Sequence, residues 1–220
     1  MAMEWAVLGL VVVGLLLTYV IFQETRAHRH WRGLVAAGNV DAIRTLLEQE
    51  FERWRTMRVP KGVAPAVWHG VQTVQLVAVG ADAAHVSCLA EGEYRVSGGR
   101  LQEVGSALDA AMRVAAKLAE LILYDVPNVR LSFVRVDVYT PVSAGNGDRG
   151  HGCILSLVAD RAMADDLDWE ALRPHEIVSR FEHRYELNER GVVQPFDPGP
   201  PLEGTLPVTG EGQPVRGETE

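Results

Sequence analysis

The sequence predicts an α+β protein: an N-terminal transmembrane helix, then an antiparallel sheet of four or five strands in ββ(β)αββ order, with a long helix on one face and flanking amphipathic helices. Three observations carry this reading. An 18-residue run without charge, Trp5–Phe22, lies near the start of the chain. Short runs of β-branched or alternating residues gather between residues 70 and 160. One stretch, Ser106–Tyr124, is rich in Ala and Leu, with its charges confined to a stripe.

The first run reads WAVLGLVVVGLLLTYVIF, with Thr18 and the Tyr19 hydroxyl as its polar side-chain groups. A helix in a soluble core normally shows one face to water, and this one has no such face. At 1.5 Å per residue it spans roughly 27 Å, near the lower limit for a bilayer. Glu4 is the charge before it, whereas Arg26, Arg29 and Arg32 follow it. Basic flanks stay on the cytoplasmic side, so the N-terminus is expected outside and the body in the cytoplasm. Trp5 and Tyr19 fall near the ends, where aromatic rings favour the headgroup region. A cleaved signal would want a basic start and a small-x-small site, and the run instead ends Tyr-Val-Ile-Phe-Gln-Glu. The expectation is a retained single-pass anchor in the cell membrane, with the lipid bilayer as a partner.

Four segments follow: an anchor, 1–22; a basic juxtamembrane segment with an amphipathic helix, 23–67; a cytoplasmic α+β domain, 68–196; and a disordered Pro/Gly/acidic tail, 197–220. The net charge of −8 argues against a nucleic-acid partner, which needs clustered cations. Residues 23–61 carry eight Lys/Arg against five Asp/Glu, and residues 160–220 carry fourteen Asp/Glu against six Arg. That asymmetry suits a body held beside an anionic leaflet. The two cysteines, Cys88 and Cys153, fall in apolar runs and make no disulfide framework, although facing one another on neighbouring strands stays open.

After the anchor, Asn39 reads as an N-cap for a helix with Ile43, Leu46, Leu47, Phe51 and Trp54 on one face. Residues 61–70 read as a connector, with the domain beginning near Trp68. Val71–Val79 and Ala83–Ala90 predict a hairpin turning at Gly80-Ala81-Asp82. In the second strand Ala84, Val86, Cys88 and Ala90 face a core, while His85, Ser87, Leu89 and Glu91 face water. Tyr94–Val96 and Leu101–Val104 form a short hairpin. The 106–124 helix carries Asp109, Arg113, Lys117 and Glu120 as one narrow stripe. Its wide apolar remainder must be covered on more than one side, by the sheet and by either the 40–55 helix or a partner subunit. Ala111, Ala115, Leu118 and Ile122 are the residues expected at such a homo-oligomer interface.

The strand VRLSFVRVDVYT is apolar at odd positions early and at even positions late. Either a β-bulge near Phe133-Val134 restores one core face, or the strand is central and buried on both sides. A Gly-rich loop, 142–150, leads to a strand at His151–Asp160. The acidic cluster before Trp169 reads as a helix start, and Pro174 opens a helix to about Glu189, with a hairpin over RYEL-NERG-VVQPF as the alternative.

No standard catalytic signature survives inspection. His175-Glu176 lacks the second His of a zinc-peptidase helix, because Ser179 stands there. The 145–152 loop lacks the Lys-Ser/Thr of a phosphate loop. Asp166 and Asp168 suit a helix start better than a cation, and His28 and His30 sit among arginines. No metal or cofactor is expected. One constellation remains: pairing of 129–140 with 151–160 would bring Arg135, Asp137 and Tyr139 near Asp148, Arg149 and His151. Asp137 and His151 are the candidate catalytic pair, and Arg135, Tyr139 and Arg149 the candidate ligand-binding groups. The plain alternative is an exposed sheet face with cross-strand charge pairs. The expected function is a non-enzymatic membrane protein presenting its domain for protein association, as a homo-oligomer or with a membrane-complex partner. A membrane-tethered enzyme or small-ligand sensor using the Arg135/Asp137/Tyr139/His151 face is the competing expectation.

Overall fold

The structure, a computed structural model, describes Gly33, Val35 and residues 38–97, 100–143 and 149–208. The expected anchor Trp5–Phe22 lies outside the described residues, and no described helix is long and apolar enough to cross a membrane.

Helix α1 (Val40–Thr56) starts where the sequence places it: the Asn39 side chain accepts the Ala42 N–H at 3.0 Å. Its buried face is Ile43, Leu47, Phe51 and Trp54, and Arg44 pairs with Glu48 at 2.9 Å on the outside. The expected connector is instead a second helix, α2 (Pro65–Gln72), with proline in its first turn. The Trp68 indole N–H donates to the Met57 carbonyl at 3.2 Å and pins α2 against the end of α1. Val71 therefore belongs to a helix, and the strand expected from Val71 is shortened to β1 (Gln75–Val79).

β1 pairs antiparallel with β2 (Ala83–Leu89) through the expected turn. β3 (Glu93–Ser97) and β4 (Arg100–Gly105) form their own two-stranded hairpin. Helix α3 (Ala107–Glu120) follows, capped by Ser106, and continues as a wider π-type turn through Leu121–Asp125. β5 (Phe133–Ser143) and β6 (Arg149–Asp160) form a long antiparallel pair. Then come two short helices, α4 (Arg161–Ala164) and α5 (Pro174–Val178), and the short strands β7 (Glu182–Arg184), β8 (Glu186–Leu187), β9 (Val193–Gln194) and β10 (Leu206–Pro207). The helix expected from Pro174 to Glu189 stops after five residues, and the hairpin alternative is the one observed, as β8 and β9 around the Asn188–Gly191 turn. The acidic cluster before Trp169 starts no helix; Asp168 caps a turn instead, its carboxylate accepting the N–H groups of Glu170 and Ala171.

The main sheet has six described strands in the order β10-β1-β2-β5-β6-β7. It is mixed rather than antiparallel, because β2 and β5 run parallel, from Ala83 opposite Phe133 to Leu89 opposite Tyr139. The cause is connectivity: a chain that leaves β2, crosses one face as α3 and returns beside it re-enters at the same end. The β5–β6 bulge falls at Val138/Tyr139, where Ile154 is the extra residue, and not near Phe133-Val134. β5 is the central strand of the second alternative, buried on both faces from Val134 to Val138.

Val134, Val136 and Val138, with Val86, Leu155 and Leu157, form the face under α3. α2 and α5 flank that helix, so the chain itself covers it. The α2 contact is close: a Cβ at Gly70 would stand 2.6 Å from Val114 Cγ2. Ala111, Ala115, Leu118 and Ile122, expected at a subunit interface, are each 0% exposed inside this core. Sequence periodicity detected the wide apolar face correctly, but it could not say that α2 and α5 fill it.

The opposite face of the sheet is covered as well. From β9 the chain runs as a strap, Phe196–Val208, from the β6 side to β1. It starts with the Phe196 N–H on the Cys153 carbonyl at 2.9 Å and ends with the Val208 N–H on the Val77 carbonyl at 2.9 Å. The stretch expected as tail from Asp197 is thus placed as far as Val208, and residues 209–220 lie outside the described residues.

Candidate functional site

The polar residues of β2, β5 and β6 that face the strap converge on one carboxylate. Strand alternation sets His85, Arg135, Asp137 and Ser156 on this side, and the parallel β2–β5 register places His85 beside Arg135. Asp137 Oδ2 meets His85 Nε2 at 2.7 Å. Asp137 Oδ1 accepts the Arg135 Nε–H at 3.0 Å and the Ser156 hydroxyl at 2.6 Å. Arg135 reaches upward too, donating from Nη1 to the Pro200 carbonyl at 2.7 Å and from Nη2 to the Pro198 carbonyl. All four side chains are buried, Asp137 most completely at 1%.

The electrostatics follow from this geometry. Burial pulls the Asp137 carboxyl upward; the His85 bond and charge and the bonds from Ser156 and Arg135 outweigh it and hold the group below the usual carboxylate range. With Asp137 ionised, His85 Nε2 must carry the shared proton, which leaves Nδ1 as the free ring position. Nδ1 is buried and has no hydrogen-bond partner among the described residues. Tyr139, two residues along β5, is half-buried, and burial with the nearby Cys153 and Asp137 pushes its phenol up to about 12. Burial raises both thiols, that of Cys153 to about 12. β5 separates the two cysteines, so they stand about 10 Å apart, two strand spacings, beyond disulfide reach.

The expected constellation is therefore divided. Arg135 and Asp137 meet, and Tyr139 lies beside them. His151 is exposed opposite Pro141, four register steps from the Asp137 row, roughly 13 Å along the strand. The Arg149 backbone lies further still toward the hairpin tip, opposite Ser143, while Asp148 lies outside the described residues. Nor is this the exposed face of the plain alternative, because the strap roofs it. The histidine that does reach Asp137 is His85, which strand alternation alone assigned to water. Ser156 and the two proline carbonyls were missed with it. Their signal lay in contacts 19 to 65 residues apart in sequence, which no local spacing encodes.

The chemistry available is limited by how these groups are bonded. Ser156 donates to Asp137, not to His85, so the imidazole is not placed to activate the hydroxyl as a nucleophile. Among the described residues no three His, Cys, Asp or Glu side chains gather as a metal site. Glu176 bonds the Arg173 backbone at the start of α5, which accounts for the His175-Glu176 pair as a helix end. An open groove of about 580 Å³ between α1 and β1 has Phe51 and Leu76 among its lining residues, and its rim charges are paired, Arg44 with Glu48 and Arg55 with Glu52.

No protein-family model, curated protein or solved structure matches this chain.

Proposed function

We propose that this chain is a single-pass membrane protein that holds its α+β domain at the cytoplasmic surface of the cell membrane for association with other proteins, without catalysing a reaction. One observation carries the non-catalytic part. The polar side chains best suited to chemistry, His85, Arg135, Asp137 and Ser156, are bonded to one another and to the strap, and are buried beneath it. A buried charge pair bonded in this way serves to fix which segments meet, with His85 Nδ1 left without a partner among the described residues. The competing reading, an enzyme or small-ligand sensor on Arg135, Asp137, Tyr139 and His151, draws little support from a face where His151 stands apart.

The tether rests on the sequence. The apolar run ends at Phe22 and helix α1 is capped at Asn39, with a short basic stretch of sequence between them in which Gly33 and Val35 are helical. Arginines 26, 29 and 32 in that segment favour the cytoplasmic side. The association surface is proposed on the β8–β9 hairpin, away from α3. There Leu187 and Val192 are 49% and 55% exposed beside the partly exposed Tyr185.

The test uses the intact chain. It is expected to stay with membranes through alkaline carbonate extraction and to co-purify with a partner in mild detergent. Leu187→Glu is expected to remove the partner without lowering the melting temperature. Release by carbonate, or a partner unaffected by changes across the hairpin, would overturn the respective half of the reading.

A further inference from the structure

We infer that the strap Phe196–Val208 opens as a unit while the sheet beneath it stays folded, so that it acts as a releasable cover over the His85–Arg135–Asp137 face. The strap is fastened at three places. At one end the Phe196 N–H bonds Cys153, and the Arg184 guanidinium lies 4.6 Å over the Phe196 ring. In the middle, Arg135 holds the Pro198 and Pro200 carbonyls. At the other end Pro207 and Leu206 pair with Ala78 and Val79.

Between these points there is little to resist opening. Not one residue from Phe196 to Val208 is buried, and Leu206 is 64% exposed. Pro198, Pro200, Pro201 and Pro207 have no N–H to give, so the strap cannot be absorbed into the sheet as a full strand. Its lift-off therefore exposes no fully buried side chain of the strap itself, only partly buried ones such as Phe196, Leu202 and Val208, the last packed against the core. What it uncovers is polar: a carboxylate, a guanidinium and an imidazole whose Nδ1 lacks a partner while covered. Hydrating those groups offsets the lost bonds. Segments with few buried apolar contacts open at lower free energy than the core. The strands below keep their own support, because the α3 face of the sheet is untouched.

Arg135 is the latch. Opening frees both of its terminal nitrogens, a planar fork that matches a carboxylate of an extended partner segment. What the uncovered face then binds rests on the association reading; the opening itself does not.

Hydrogen exchange on the intact chain in mild detergent tests the inference, read at the amides of Phe196, Leu206 and Val208 against Val136 and Leu157. The strap amides are expected to exchange at least ten-fold faster than the core pair and together with one another. Arg135→Gln is expected to speed them a further ten-fold; because it also deletes one partner of the buried pair with Asp137, the core rates are expected to rise with the lost global stability. Gly80→Ala is the second variant, because a Cβ there would stand 2.6 Å from the Gly204 carbonyl oxygen and push the strap off without touching the charge network. It should speed the strap amides by as much, with the core rates unchanged, even if Arg135→Gln fails to fold. Strap amides that exchange at core rates in the parent and in Gly80→Ala would overturn the inference. Loss of the partner in co-purification would instead bear on the association reading.

Discussion

Replacing Asp137 by alanine measures whether the buried network is structural. The substitution removes a carboxylate that accepts bonds from His85, Arg135 and Ser156. Breaking a buried ion pair by deleting one partner costs about 3–5 kcal/mol. The lower end applies to this pair, because Arg135 keeps its two proline carbonyls. The Ser156 hydroxyl loses its acceptor as well, adding about 1 kcal/mol. A total of about 4 kcal/mol corresponds to a fall in melting temperature of roughly 8–16 °C for a chain of this size. Asp137→Asn keeps the shape but not the charge and should cost about half as much, with Ser156→Ala nearer 1 kcal/mol. Thermal and urea unfolding of the intact chain in mild detergent, followed by near-ultraviolet circular dichroism, gives all three values. A shift under about 2 °C for Asp137→Ala would refute the structural assignment. So would an Asp137→Asn protein that keeps full stability but loses an activity, since that pattern belongs to a catalytic carboxylate.

The remaining expectations concern acid and packing. The folded Asp137 carboxyl titrates below its unfolded value of ~3.9, so the stability it contributes is complete above that pH and fades as pH falls through the lower folded value. The difference in urea midpoint between parent and Asp137→Asn should therefore narrow from pH 6 to pH 3, and a constant gap would contradict it. Gly70→Ala, which in an open helix would gain about 1 kcal/mol, should instead lose about 2, because its Cβ would press on Val114 at 2.6 Å and on the Leu89 carbonyl at 2.9 Å. A rise in the urea midpoint would show that the α2–α3 spacing gives way.

Local patterns in the sequence determined much of the architecture. The α1 helix and its Asn39 cap, the Ser106 cap of α3, the β1–β2 turn and the β5–β6 pairing all follow from spacing and capping chemistry, which act over three or four residues. The fully apolar run Trp5–Phe22 is likewise a property of composition alone. Tertiary structure decided everything that depends on which element lies against which. The wide apolar face of α3 is filled by α2, α5 and the sheet, so Ala111, Ala115, Leu118 and Ile122 are core residues. The parallel β2–β5 register turned His85 from a solvent-facing strand residue into the partner of Asp137, 52 positions away. The strap then buried that pair, using carbonyls more than 60 residues from the arginine that binds them. Periodicity reports how many faces of an element are apolar. Burial of a polar face is set by distant chain, and its chemistry became visible only when that chain was in place.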